Sequence, residues 1–124
     1  MAAAAATLTG EATRGHIDRD NVVRRLNDSF RRTFAGGTVM LTAGVRELDA
    51  QGQRTVLDAV RAFDTFGTDN DPYGEHDFGA VEHGGHRYFW KIDYYDRDLT
   101  HGSPDPADPT VTSRVLTIMR ADEY

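Results

Sequence analysis

Cysteine is absent from the 124 residues, which excludes disulfides, thiol nucleophiles, Cys-type zinc sites and iron–sulfur clusters together. Lysine occurs once, at Lys91; every other basic residue is arginine. No apolar run approaches the roughly 20 residues needed to span a bilayer. Met1 is followed by five alanines and then by polar residues. That pattern has neither the basic start nor the roughly 7–15-residue apolar stretch of a secretory signal. Ser29, Ser103 and Ser113 have no Gly-x-Ser-x-Gly context, and neither common phosphate-binding glycine loop occurs. These absences lead us to expect a cytoplasmic protein with a disordered N-terminal tail over residues 1–16 and a single domain over 17–124.

What is present is globular in character: 39% hydrophobic, 27% charged and 10% aromatic residues. The formal net charge of −6 is unevenly spread. Residues 1–62 hold nine basic and seven acidic groups, whereas residues 63–124 hold five basic and thirteen acidic groups. A half-chain at −8 repels phosphate backbones, which argues against direct nucleic-acid binding by that half. It attracts metal ions or a basic protein surface, with plain solubility as the alternative explanation.

The apolar spacing of Val22, Val23, Leu26, Phe30 and Phe34 predicts an amphipathic helix over residues 18–35, stopped by Gly36-Gly37. Its expected outer face carries Arg24, Arg25, Asp28, Arg31 and Arg32, with ion pairs at four-residue spacing or an arginine stripe for phosphate as the two readings. Residues 38–43 read as a short strand. A second helix is expected from a cap near Asp49 to about Phe66, burying Val56, Leu57, Val60, Phe63 and Phe66.

Gly84-Gly85 suits a two-residue hairpin turn. That turn sets Val81 opposite Tyr88, Phe78 opposite Lys91, Glu82 opposite Arg87, and His76 opposite Asp93. Period two then puts Tyr88, Trp90, Ile92 and Tyr94 on the core face and Phe89, Lys91 and Asp93 on the other. Pro104, Pro106 and Pro109 make residues 96–110 a long connection, and Val115–Met119 reads as a central strand. The expected fold is α+β: two helices packed on one face of a small, mainly antiparallel four-stranded sheet, in the order α-β-α-β-β-β.

The densest polar cluster is Asp69, Asp71, Glu75, His76 and Asp77, in a loop with Tyr73 and Gly74. Asp-x-Asp spacing supplies oxygen ligands for a hard cation, but the calcium-loop pattern fails: Tyr73, Pro72 and Ala80 stand where it needs other residues. A different divalent-metal site, with Asp69, Asp71, Glu75, His76 and Asp77 as ligands, stands beside ordinary turn chemistry as an explanation. His83 and His86 flank the turn, but no third zinc ligand lies nearby. His76, Lys91 and Asp93, brought together by the expected register, could assemble acid–base chemistry; the simpler reading pairs Lys91 with Asp93 across the sheet surface.

Five blocks, Asn27-Asp-Ser-Phe-Arg-Arg-Thr-Phe, Val39-Met-Leu-Thr-Ala-Gly-Val, Asn70-Asp-Pro-Tyr-Gly-Glu-His-Asp-Phe-Gly, Phe89-Trp-Lys-Ile-Asp-Tyr-Tyr-Asp and Arg114-Val-Leu-Thr-Ile-Met, resemble domain-of-unknown-function family 3768. This is an uncharacterised bacterial family, seen in proteobacteria and often on plasmids or other mobile elements, and the resemblance spans residues 27–124. It brings no established activity and no catalytic residue. It implies a mobile-element context of host-defence evasion or element maintenance. Together with the −8 half-chain, this leads us to expect a small accessory protein acting by protein–protein contact, in the manner of an anti-CRISPR or anti-restriction inhibitor that mimics nucleic acid. The expected partner is a basic surface of a host protein, a nuclease or CRISPR effector. The expected contact residues are Asp69, Asp71, Tyr73, Glu75, His76, Asp77, Lys91, Asp93, Asp96 and Asp98, with no membrane involved and no required cofactor. The alternative is a small metal-dependent hydrolase using the Asp69–Asp77 cluster with Lys91 and Asp93.

Overall fold

The computed structural model describes residues 11–124, with side chains from residue 19 onward. In chain order the elements are α1 (Glu11–Thr33), β1 (Thr38–Leu41), α2 (Ala43–Arg46), α3 (Ala50–Arg61), β2 (Phe78–His83), β3 (His86–Tyr95), β4 (Ser113–Arg120) and a 3-10 turn (Ala121–Glu123). Most of the tail expected at residues 1–16 lies outside the described residues, while residues 11–16 form the first turns of α1.

The four strands form one sheet in the order β1-β4-β3-β2. β2–β3 and β3–β4 are antiparallel, and β1 runs parallel to β4 at the edge. The fold is therefore α+β with a mixed sheet, and β4 is internal as its two-faced apolar sequence required. The hairpin register is the expected one, with Phe78 opposite Lys91, Val81 opposite Tyr88 and Glu82 opposite Arg87. Gly84 (φ 60°) and Gly85 (φ 80°) supply the two left-handed residues that such a turn needs.

α1 and α3 cover one face of the sheet. Phe30 from α1 and Val56 and Val60 from α3 meet Tyr88, Trp90, Ile92, Leu116 and Ile118 in a continuous core. Trp90, at 0% exposure, is the largest side chain in it. Its indole fits because Gly79, opposite in the register, has no side chain: a Cβ there would lie 2.5 Å from Trp90 Nε1. Asp49 caps α3 by accepting from the Gly52 amide at 2.7 Å. The helix ends at Arg61 rather than near Phe66, so Phe63 and Phe66 reach the core from the following loop and pack edge-on against Trp90.

α1 departs from expectation on one side. Of its expected outer face, Arg25 and Arg32 are exposed, but Arg24, Asp28 and Arg31 meet the loop over residues 62–77, and Arg31 and its neighbour Asn27 are fully buried. Asp28 pairs with Arg31 three residues on, at 2.9 Å, rather than with residues four away. Phe34, at φ 61°, takes the left-handed position that ends the helix, two residues before the glycine expected to do so.

Candidate functional site

Loop 62–77 and α1 close on each other through a polar seam. Asn27 stands at its centre: its Nδ2 donates to the Glu75 carbonyl (3.0 Å) and shares a 2.8 Å contact with Tyr94 Oη, while its Oδ1 accepts from Arg114 Nε (2.9 Å). Tyr94 Oη donates to Glu75 Oε1 at 3.0 Å. Arg24 donates to the Gly74 carbonyl at 3.0 Å. One buried amide thus ties together α1, the loop, β3 and β4, with both its oxygen and its nitrogen hydrogen-bonded.

His76 lies beside this hub. Its Nδ1 is 2.9 Å from Asp28 Oδ1, its Nε2 is 3.6 Å from Asp71 Oδ2, and its ring stacks flat on Phe66 at 3.8 Å. The backbone there is left-handed (φ 57°), held by the His76 amide donating to Asp71 Oδ1 at 3.0 Å. Arg31 completes the group by donating to Asp28 and, at 3.1 Å, to the Phe63 carbonyl. Both ring nitrogens of His76 already face carboxylates, so neither points at a place where a substrate proton could sit. The arrangement clamps the loop rather than presenting a base.

The carboxyls of the seam respond to this crowding. Burial alone would raise Asp28, but hydrogen bonds from His76 and Arg31, together with their charge, leave it below the usual range. Asp77 goes the other way: burial first, then the nearby charges of Glu75 and Asp71, push it up to about 6. Burial also raises the Tyr94 hydroxyl, so it remains protonated and available as a donor.

A carboxyl whose folded pKa exceeds its unfolded value opposes folding once it ionises. The loss develops between about pH 4 and pH 6 and is constant above that window. Asp77→Asn is therefore expected to stabilise the protein at pH 7 by about 1–2 kcal/mol, after allowance for the partial exposure of the group. At pH 4 the variant and the parent should unfold alike. Urea unfolding at the two pH values checks this, and equal stability at pH 7 would refute the assigned strain.

The residues expected to form one site divide into two sets on opposite faces of the sheet. Asp71, Glu75, His76 and Asp77 belong to the seam on the helical face. Lys91 and Asp93 pair at 3.1 Å on the other face. His76 does not stand opposite Asp93. The last ladder bond beyond β2 runs from the Ile92 amide to the Asp77 carbonyl (2.8 Å), and the left-handed His76 turns away toward α1. Hydrogen bonding to Asp93 keeps the Lys91 ammonium charged to higher pH than usual. Asp96 caps its own turn, accepting from the Thr100 amide at 3.0 Å, and this holds its carboxyl low. Asp69, Tyr73 and Asp98 are exposed. Among the described residues no three or more His, Asp or Glu are placed to share a metal ion: Asp71 and His76 engage each other, and Asp69 stands apart in solvent.

The second face has a character the sequence had not flagged. α1 and α3 leave it uncovered, and its alternating positions include Thr38 and Met40 of β1, Val115 and Thr117 of β4, and Phe89, Lys91, Asp93 and Tyr95 of β3. Phe78, Phe89 and Tyr124 stack at one end. At the other, Thr38, Met40, Tyr95, Leu99, Val115 and Thr117 line an open groove of about 420 Å³. Met40 is 53% exposed and Leu99 58% exposed. Leu99 is held there by a left-handed backbone (φ 60°).

Fold and surfaces define a small α+β protein with a clamped polar seam on one side of its sheet and an apolar groove on the other. Residues 41–123 match the model of the family of proteins of unknown function DUF3768, and the chain belongs to that family. The match runs from the end of β1 through the 3-10 turn, so it includes the loop half of the seam, whereas Asn27, Asp28 and Arg31 precede it. No curated protein and no solved structure matches the chain. Among the described residues no helix is long and apolar enough to cross a membrane.

Proposed function

We propose that this is a small acidic accessory protein that works by binding another protein through the uncovered face of its sheet. The observation that carries the reading is Leu99: a strained backbone holds an apolar side chain in solvent beside the equally exposed Met40, across a groove floored by Val115 and Thr117. Strain at a surface position is retained where it positions a contact. Exposed apolar side chains gathered at one groove mark an interaction surface rather than scattered chance.

The occupant we infer is a host-protein surface with an apolar ridge and a basic rim. Asp93, Asp96 and Asp98 belong to the segment that borders the groove, in a half-chain whose balance is −8. A nucleic-acid channel of a nuclease or CRISPR effector has that basic chemistry, which keeps the inhibitor reading as the narrowest form of the proposal. Steering by exposed carboxylates is screened within about 10 Å at 0.1 M salt, so binding should weaken as salt rises.

The sole lysine makes this testable, because Lys91 lies on the proposed face. Proteins retained from a bacterial lysate at low salt would be purified and added back singly, and acylation of Lys91 by an amine-reactive reagent followed by mass spectrometry. A true partner is expected to protect Lys91, to lose affinity in Met40→Asp and in the Asp93→Asn, Asp98→Asn double variant, and to dissociate at high salt. Unchanged Lys91 labelling, or binding indifferent to these substitutions, would overturn the proposal. Protection that grows with the concentration of this protein alone would overturn it too, by making a second copy the occupant.

A further inference from the structure

A second concavity lies beside the C-terminal end of α1, away from the uncovered sheet face. It encloses about 190 Å³, and Ser29, Phe30, Pro109, Thr112, Arg97 and Arg114 contribute to its lining. It has two guanidinium groups in its wall and no carboxylate.

Arg114 is the informative member. At 4% exposure it is nearly as buried as the core, yet among the described residues no carboxylate forms an ion pair with it. Its Nε donates to Asn27 Oδ1 and its Nη2 to the Pro106 carbonyl, and its guanidinium lies 5.2 Å above the Tyr94 ring. These neutral partners orient the group, and the Glu75 carboxylate, itself held by the Tyr94 hydroxyl, acts on its charge without hydrogen-bonding to it. Nη1 makes no hydrogen bond among the described residues. A buried cation with no carboxylate in hydrogen-bond contact is expensive, and a ligand anion can supply the contact that the side chains leave open. Arg97, exposed and also without a described partner, stands in the wall of the same concavity.

We propose that this concavity is a binding site for a small oxyanion, a carboxylate or a phosphate. Arg114 is the preoriented inner donor, Arg97 closes over the ligand from the mouth, and the Ser29 hydroxyl is a third donor. Guanidinium groups suit such ligands because their planar N–H pairs match two oxygens at once. Leu26 and Phe30 give the site an apolar side, so it has room for a short hydrocarbon group beside the charge.

The test is a two-dimensional amide NMR titration of the full chain with benzoate in one series and inorganic phosphate in another. Saturable shifts centred on Ser29, Gly36 and Thr112 are expected with at least one of the two. Benzoate alone marks an organic carboxylate as the ligand class, and phosphate alone marks a bare oxyanion. Arg97→Gln removes an exposed side chain, so it should leave the melting temperature unchanged while weakening the affinity by about tenfold or more, as loss of a charge-assisted contact does. Arg114→Lys keeps the charge but loses the fork, and should weaken binding similarly with the shifts still centred on the same residues. Absence of saturable shifts with both probes would overturn the assignment, as would binding of equal strength in the parent and in Arg97→Gln.

Discussion

Arg31→Ala is expected to lower the unfolding free energy by about 3–5 kcal/mol, the range found when one member of a buried charged pair is removed. Arg31 is completely buried in the wall between α1 and loop 62–77. It donates to Asp28 at 2.9 Å and to the Phe63 carbonyl at 3.1 Å, and its guanidinium lies between Phe66 (5.4 Å) and Trp90 (5.3 Å). Truncation removes a cation from two aromatic faces, leaves a peptide carbonyl unpaired, and opens a cavity the size of most of a side chain. Asp28 retains only His76. A thermal melt should show a drop of about 10 °C or more for a chain of this length. Arg31→Met separates packing from charge. It refills the volume, so a loss as large as alanine's would assign the whole effect to the ion pair, and near-parental stability would assign it to packing. A drop of only a few degrees in Arg31→Ala would mean that the loop is not clamped as described.

That clamp also shows where sequence reasoning succeeds and where it stops. The β2–β3 hairpin was legible because Gly84-Gly85 permits one turn and alternation then dictates every pair down to Phe78 and Lys91. One step outside the ladder that alternation no longer holds. His76 has a left-handed backbone that no residue type announces, and that single dihedral turns it from Asp93 on one face to Asp28 on the other. Arg31 failed for a different reason. A charged residue on a helix is ordinarily solvated, so helix patterning assigned it outward. Yet Val23, Asn27 and Arg31 follow one another at four-residue spacing, and that row is the buried one. The parallel pairing of β1 with β4 had no local signal at all, because it joins residues more than seventy positions apart. The groove was missed because Met40 and Leu99, on separate segments, meet only once that pairing has formed.

Asn27→Ala is expected to cost about 3 kcal/mol, the second large effect, and it tests whether the seam is one unit. Asn27 is fully buried, and its amide orientation is fixed because Arg114 Nε can only donate. The Oδ1 therefore faces Arg114, and the Nδ2 faces the Glu75 carbonyl and Tyr94 Oη. Two neutral hydrogen bonds at about 1 kcal/mol each and one to a charged group at roughly 1.5–3 kcal/mol set the scale, with some recovery by water at the partly buried end. The informative measurement is a double-mutant cycle with Tyr94→Phe, which deletes the hydroxyl shared by Asn27 and Glu75. If the seam acts as one network, the double variant should be less destabilised than the sum of the singles by about 1 kcal/mol, because the second substitution removes bonds already lost. Strict additivity would show that α1 and β3 hold the loop independently, and a loss below about 1 kcal/mol for Asn27→Ala would mean that water enters freely where the amide stood.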